Sequence, residues 1–262
     1  MPNSTKLHTE EQISLSSVGE FIPLKSIKKK QKKPTVKVNI YAILKFFVIT
    51  AFILLILNLV VIMSYKMHFK FPDKFNFDRE DSVPTYFSAL ILLISASILG
   101  LIAFLKRKEK DSFAIHWMTM SLIFLGLSID ESVSFHEILT EPFRSNLQLS
   151  GFLRFSWVIP VGIFVIFFCI SYLKFFLALP KKMKVMFFVS GAVYVFGALG
   201  LEMIGGSIYK GDGSLDVTEQ SLTYMLVTTT EETLEMTGIL LFIYTLLQYI
   251  KAYNPKIKLS VN

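Results

Sequence analysis

The sequence predicts an all-α, polytopic membrane protein, a bundle of six transmembrane helices with both termini in the cytoplasm. Of its 262 residues, 53% are hydrophobic, and the mean hydropathy is +0.55. The apolar residues occur in runs of about 20, the length that crosses a hydrocarbon core ~30 Å thick. Lysine and arginine are concentrated in alternate connections between these runs. Together these observations exclude the soluble enzyme classes.

Six apolar runs define the predicted spans, which cover residues 40–64, 86–105, 113–134, 155–179, 184–206 and 218–250. Asp111 is the predicted N-cap of the third span. The segment DVTE (216–219) has the spacing of a capping box before the sixth span. Residues 217–250 would be longer than the bilayer is thick at ~1.5 Å per residue. The sixth span is therefore predicted to be tilted, broken or extended into the outer headgroup layer.

The positions of the basic residues predict the orientation in the membrane. The connections KRKEKD (106–111) and LPKKMK (179–184) are short and basic, whereas the loops near 66–85, 138–154 and 207–217 carry fewer cations. By the positive-inside rule, both termini and the basic connections are cytoplasmic. The predicted domains are a polar, basic, flexible tail (1–37), a six-span domain (38–252) and a short cytoplasmic tail (253–262). The net charge of +7 indicates contact with membrane lipid, not with nucleic acid.

Acidic residues of three different spans fall in one predicted layer in the outer half of the membrane. Asp130 and Glu131 stand in LSIDESVSFHE (127–137), Glu202 stands in GLEMIGG (200–206), and a third group stands in TTTEETLEMTG (228–238). At ~100° per residue, Glu231, Glu232 and Glu235 share one helix face, as do Asp130, Glu131 and Glu137. His136 lies off that face by ~120° and reaches the layer if the helix ends or unwinds before it.

This concentration of acids predicts a cation site. Ionised carboxylates in hydrocarbon cost about 2.5 kcal/mol or more each, and no lysine or arginine stands in this layer to neutralise them. A bound metal, protons or water-borne cations remain as neutralisers. The predicted ligands are Asp130, Glu137, Glu202, Glu231, Glu232 and Glu235, and the predicted proton carriers are Glu131 and His136. The ordinary alternative, a solvated helix end, applies most to Glu137 and His136.

Carboxylate ligands favour an oxygen-preferring divalent metal such as Fe, Mn, Mg or Ca over structural zinc. A di-iron carboxylate bundle uses Glu-x-x-His on two of its helices. The chain has the i, i+3 pair Glu232 and Glu235 but contains no Glu-x-x-His, so the di-iron pattern is only partly met.

The run LGLSIDESVSFHE (125–137), followed by EETLEMTG (231–238), resembles a group of uncharacterised bacterial multi-pass membrane proteins with a Leu-Ser-x-Asp-Glu-x4-His-Glu signature. The resemblance covers the third, fifth and sixth spans. It implies an acidic site embedded in the membrane and no particular substrate. A bacterial inner membrane is the expected location.

Two functions are compatible with these patterns. One is a membrane metalloenzyme, oxidative or hydrolytic, that acts on a lipid or on a small outer-face substrate. The other is a cation or proton-coupled transporter, because the acidic pattern recurs in spans three and six, as it would in inverted-repeat carriers. A transporter needs polar residues that continue toward the cytoplasm. The segment after Glu235, MTGILLFIYTLLQY (236–249), is largely apolar and favours the enzyme.

Overall fold

The structure is a computed structural model, and it describes residues 40–136, 138, 140, 149–209 and 220–253. These residues are helical, with no strand among them. The helices are α1 (Ile40–Met67), α2 (Val83–Lys108), α3 (Ala114–Val133), α4 (Val158–Ala178), α5 (Lys181–Val195), a π-helix (Phe196–Leu201), α6 (Glu202–Ile208) and α7 (Leu222–Tyr253), with short 3-10 turns at Asp73–Phe75 and Gly151–Leu153.

Five helical segments in the described part of the chain are long and apolar enough to cross a membrane. They are α1, α2, α4, the continuous segment Lys181–Ile208 and α7. Helix α3, with 20 residues, is not among them. It ends in acids and contains His116, which reduces its apolar character. The regular structure of the described residues is therefore all helical, and five of the predicted spans meet the length and hydropathy criteria, which indicates a membrane protein.

Helices α2 and α3 form an antiparallel hairpin. The hydroxyl of Ser121 donates to the carbonyl of Ala96 at 2.7 Å, and the hydroxyl of Ser128 donates to the carbonyl of Ala89 at 2.8 Å. Such hydrogen bonds satisfy polar groups between helices in an apolar environment. Ser128 lies beside the start of α2, so the acids that follow it lie at the same end of the bundle as the 68–82 loop.

Helix α7 is the centre of the bundle and contributes to both of its apolar cores. One core lies among α1, α2 and α7 and includes Leu92 and Met236. The second lies among α2, α3, α4, α5 and α7 and includes Trp117 and Leu246. We call the end where Lys106–Lys108, Lys181–Lys184 and Lys251 lie the basic end, and the opposite end the acidic end.

The structure corrects the predicted cap of the third span and excludes a break in the sixth. Helix α3 begins after Phe113, which has no side-chain cap bond. Asp111 instead accepts a hydrogen bond from the backbone N–H of Phe113 at 2.8 Å, so it stabilises the preceding turn. Helix α7 is one unbroken helix of 32 residues. The DVTE segment and both predicted tails apart from Tyr253 lie outside the described residues.

Candidate functional site

A cavity of about 940 Å³ lies among α3, α4, α5, the π-helix and α7. Its wall at the acidic end carries nine titratable side chains from four parts of the chain: Asp78, Glu80, Asp130, Glu131, His136, Glu202, Glu231, Glu232 and Glu235. The structure thus brings together all the described residues that the sequence predicts for the site. Glu137, the remaining predicted ligand, lies outside the described residues. No lysine or arginine is among the described residues that line the cavity.

Asp130 and His136 form a hydrogen-bonded pair because α3 ends between them. The helix stops at Val133, and Ser134 takes a left-handed conformation with a φ of 52°. The chain then turns back, so that the backbone N–H of His136 donates to Oδ1 of Asp130 at 2.8 Å. The ring Nδ1 of His136 lies 2.9 Å from Oδ2 of the same carboxylate. The helix end thus brings His136 to the cavity, although it lies off the acidic face of an ideal helix.

His136 supplies a positive charge at the acidic end. Burial acts to lower its pKa, but the hydrogen bond with Asp130 and the negative charges of Asp130, Glu80 and Glu202 outweigh burial and raise the pKa to about 9. Because Nδ1 faces Asp130, Nε2 is the ring nitrogen available to a ligand. Asp130 therefore orients the imidazole and balances its charge.

Glu202 lies at the first position after the π-helix. A hydrogen bond links it to Trp157, the residue directly before α4. The indole Nε1 of Trp157 donates to Oε1 of Glu202 at 2.9 Å. The same indole lies 4.9 Å from the imidazole of His136, measured between ring centres. Glu202 of α6 and Glu231 of α7 both line the cavity and lie close enough for their carboxyl groups to interact.

Two glycines allow the close approach of these helices. A Cβ on Gly238 would lie 2.7 Å from the backbone nitrogen of Tyr194, and a Cβ on Gly197 would lie 3.1 Å from the carbonyl oxygen of Glu231. The π-helix that contains Gly197 widens the turn just before Glu202. Single π turns within α-helices occur frequently at functional sites. Backbone contact at this level fixes the carboxyl groups of α6 and α7 with respect to each other.

The three acids of α7 differ in their surroundings. Glu231 is buried, with 7% of its side chain and backbone exposed. Glu232 and Glu235 are half-buried, and both line the cavity. The other ionised groups that act on Glu235 are carboxylates, from Glu131, Glu202 and Glu80. The shared face predicted for these residues is therefore turned toward the cavity and toward further negative charge.

Polar and aromatic residues that the sequence does not predict for the site also line the cavity, among them Asp78, Glu80, Trp157, Tyr194 and Tyr224. The hydroxyl of Ser134 donates to Glu80 at 2.6 Å, and the hydroxyl of Tyr224 donates to Asp78 at 3.0 Å. A sequence signal for the two acids exists in FDRED (77–81), directly before the N-cap Ser82. By sequence alone this segment resembles an ordinary outer loop, because nothing in it predicts that the loop folds back over α3.

The predicted metal centre is not supported by the arrangement of the described residues. Among them, no three His, Cys, Asp or Glu side chains are grouped so that they could hold one ion. The two oxygens of Asp130 are already engaged by His136. The acids line the wall of a wide cavity and do not converge on a point, so the geometry fits a ligand larger than a bare ion.

The rest of the cavity is apolar and follows α4. Helix α4 is attached to the bundle at its two ends. Trp157 bonds Glu202 at the acidic end, and Tyr172 donates to the carbonyl of His116 at 2.9 Å near the basic end. Between these attachments the lining comes from Val161, Phe164, Val165, Phe168, Cys169 and Leu173 of α4, facing residues of α3 and α5. The part of the cavity nearest the basic end is lined by the apolar side chains of Phe175, Leu179 and Phe187.

A side opening lies between α4 and α5. Phe164 of α4 and Phe188 of α5 both line the cavity and are exposed on the surface. A Cβ on Gly191 of α5, which also lines the cavity, would meet nothing within 4 Å. The two helices are therefore separated at this level. Because their outer faces are apolar, the opening faces the hydrocarbon of the membrane.

Comparison with known families decides where this chain belongs. Residues 45–249 match a family described as "Domain of unknown function (DUF8692)". The chain belongs to the DUF8692 family. The matched range of DUF8692 includes all the titratable residues that line the cavity. No match was found among curated proteins or among solved structures.

Proposed function

We propose that this DUF8692 protein is a membrane enzyme that performs acid–base chemistry on the polar head of an amphiphile from the outer leaflet. His136 and Glu131 are the proposed proton carriers. The observation that carries the proposal is the Asp130–His136 pair, which opens on the same cavity as Glu202 and Glu231. General acid–base catalysis requires a proton donor and a proton acceptor within reach of one substrate, and these residues line one cavity.

The roles follow from the contacts. Asp130 orients His136 through both of its oxygens, so it is a positioning residue. His136 presents Nε2 to the substrate and gives or takes a proton there. Glu131 follows Asp130 in the chain and lines the same cavity, where the charges of Glu80, His136 and Asp130 act on it. Glu202 and Glu231 are the proposed proton store, and Trp157 holds Glu202 in place.

The orientation that we propose for the protein places the acidic end outside. We propose that α3 is a sixth span, because its hydrogen bonds with Ala96 and Ala89 align it with α2, which is a span. The lysines of the basic end then lie in the cytoplasm with both termini. In a bacterial cell this corresponds to the inner membrane.

The transporter alternative receives less support from this geometry. The end of the cavity nearest the basic end is lined by the apolar side chains of Phe175, Leu179 and Phe187. Ions and protons need polar groups along their path, and aromatic and aliphatic side chains do not provide them. An enzyme that exchanges substrate with the outer leaflet needs no such path.

The test is an assay of lipid turnover without a presumed substrate. The purified protein in nanodiscs is incubated with a total bacterial lipid extract, and the lipid species are compared by mass spectrometry before and after. We expect one class of amphiphile to be consumed by the wild type and retained by His136→Asn. The assay is repeated with a metal chelator, which tests the predicted oxygen-preferring metal separately. Unchanged lipid composition with the wild type, with and without added Mg²⁺, Mn²⁺ and Fe²⁺, would reject the proposal.

A further inference from the structure

Resting on the proposed function, we infer that the cavity binds a single-chain amphiphile whose head is a protonated amine. The head lies at the acidic end of the cavity and the chain lies along α4. The charge, the length and the side opening of this cavity together indicate the substrate class.

The charge of the cavity wall at the acidic end determines which polar head the amphiphile can carry. Eight carboxyl groups and one imidazole line the acidic end. A phosphate or carboxylate head would meet like charges, which cost several kcal/mol when they are brought together. An ammonium brings a positive charge and three hydrogen-bond donors. It does not need three ligands fixed at the ~2.0–2.6 Å distances of a metal ion, and the described residues offer no such group.

A buried carboxyl group points to the same ligand. Glu231 is 7% exposed and lines the cavity. Among the described residues, Glu202 is the charged neighbour that acts on it most strongly. A carboxyl group has about four acceptor positions, so acceptor capacity remains for a donor in the cavity. The aromatic rings of Trp157, Tyr194 and Tyr224 also line this end, and such rings attract ammonium groups.

The apolar section fits one chain. From Val161 to Phe176 the lining of α4 extends ~22 Å at ~1.5 Å per residue, which is more than one leaflet of a hydrocarbon core ~30 Å thick. The cavity volume of about 940 Å³ falls within the range of roughly 300–1,000 Å³ typical of pockets for one small ligand. A second chain would have to remain outside, in the opening between α4 and α5.

The single cysteine of the chain reports on occupancy. Cys169 is exposed, lines the apolar section and is the only cysteine in the sequence. A ligand whose chain lies along α4 will shield its thiol from a membrane-permeant maleimide. The probes are dodecylamine, dodecanoic acid with the same chain length, and ethylamine, which has the head without the chain.

The experiment measures the rate of Cys169 alkylation in the full-length protein, held in nanodiscs of zwitterionic lipid at pH 7.5. We expect dodecylamine to slow alkylation at least fivefold, at a concentration where dodecanoic acid and ethylamine change it less than twofold. Equal protection by dodecylamine and dodecanoic acid would show a pocket without head selection and overturn the inference. An unchanged rate with dodecylamine would also overturn it.

Matched variants locate the two parts of the ligand. The double variant Glu232→Gln/Glu235→Gln keeps the side-chain shapes, and we expect it to weaken dodecylamine protection at least tenfold in midpoint concentration. Val165→Trp fills the apolar section, whereas Ile166→Trp places the same ring at a side chain that is 63% exposed and does not line the cavity. We expect the first to abolish protection and the second to retain it. The wild-type comparison of three probes stands even if a variant does not fold.

The same assay separates this inference from the proposed function. His136→Asn removes a cation from the site, and we expect it to bind dodecylamine at least as tightly as the wild type while turnover is lost. Amine protection without lipid turnover in any extract would reject the enzyme and keep the ligand class. Turnover of a lipid without an amine, with no amine protection, would reject the ligand class and keep the enzyme.

Discussion

The ring of His136 lies 2.9 Å from the carboxylate of Asp130, six residues earlier in the chain, because α3 ends at Val133 and Ser134 reverses the backbone. One carboxylate thereby closes the helix end and orients the imidazole. The pair occupies a corner of the cavity where Trp157 and Glu202 of two other helical segments meet it. Its consequences can be measured residue by residue.

The first prediction concerns this pair. We expect His136→Asn to lower the turnover of the lipid identified in nanodiscs by about 10²–10⁴-fold, the usual contribution of a general acid or base. Asp130→Asn should lower it less, since the imidazole remains but loses its orientation. His68→Asn is the control, because His68 is exposed and has a φ of 57°, which asparagine adopts readily. Equal turnover in all three variants would remove His136 from the chemistry.

The second prediction concerns repulsion among the acids. Glu235 is surrounded by the charges of Glu131, Glu202 and Glu80, so Glu235→Gln should relieve repulsion and raise the Tm by ~2–4 °C, about 1 kcal/mol for a chain of this size. The control is Glu109→Gln at the basic end, which removes an ion pair with Lys106 of 3.3 Å and should not raise the Tm.

Thermal unfolding with and without a chelator completes this comparison. If Glu235→Gln lowered the Tm and a chelator lowered the wild-type Tm by the same amount, a bound metal would be neutralising the cluster. That outcome would support the metal centre that the sequence predicts.

The third prediction concerns the contact between α5 and α7. We expect Gly238→Ala to reduce the free energy of unfolding by about 1–3 kcal/mol, because its Cβ would meet backbone atoms of Tyr194 and overpacking has this cost. Gly191→Ala on α5 meets open space and should leave the Tm unchanged or higher. Thermal unfolding in nanodiscs, followed by light scattering, distinguishes the two. A harmless Gly238→Ala would contradict the close approach of the helices.

The fourth prediction concerns the attachment of α4. Trp157→Phe keeps the ring near His136 but removes the hydrogen bond to Glu202, which is worth ~1 kcal/mol or more when one partner is charged. The acidic end of α4 should then separate more often from the bundle, and alkylation of Cys169 should accelerate severalfold. Trp117→Phe, at the other end of the molecule, provides the matched change. The same acceleration in both variants would mean general loosening and not a local attachment.

The fifth prediction concerns orientation. An enzymatic reporter fused after Lys108 or Lys182 should report the cytoplasm, and one fused after Tyr209 should report the outside, because positive charge is retained in the cytoplasm. An external signal after Lys182 would invert the bundle and place the carboxyl cluster in the inner leaflet. The amphiphile would then come from the cytoplasmic side.

The helical bundle and the meeting of the acids could be predicted from sequence because both depend on regular helices. Counting residues from the basic ends places Asp130, Glu202 and Glu235 at one depth, and a regular helix turns Glu231, Glu232 and Glu235 to one face. The structure shows these residues around one cavity. Membrane helices satisfy their backbone groups internally, so such counting remains valid over long segments.

The rest of the site depends on departures from regular helices, which periodicity does not reveal. Ser134 breaks α3 in a conformation that usually favours glycine, and the π-helix shifts Glu202 relative to α5. Glu80 reaches the cavity through a loop whose return path has no local signal. The expectation of a compact metal centre is not supported by the described residues for a related reason: shared depth and shared face do not specify whether side chains converge on one point or line a wide space.

The π-helix at Phe196–Leu201 divides the segment Lys181–Ile208 into two parts. Side chains before and after it follow different angular positions around the helix axis. One additional residue in a helix rotates everything after it by ~100°. The residues before the bulge pack against α7 as an ordinary span, and the residues after it follow a different angular setting in which Glu202 faces inward. If one residue were deleted from this turn, the segment would still be long and apolar enough to span the membrane. Glu202, however, would point toward lipid. The proposed function of this chain therefore depends on the number of residues in this turn as well as on their chemistry.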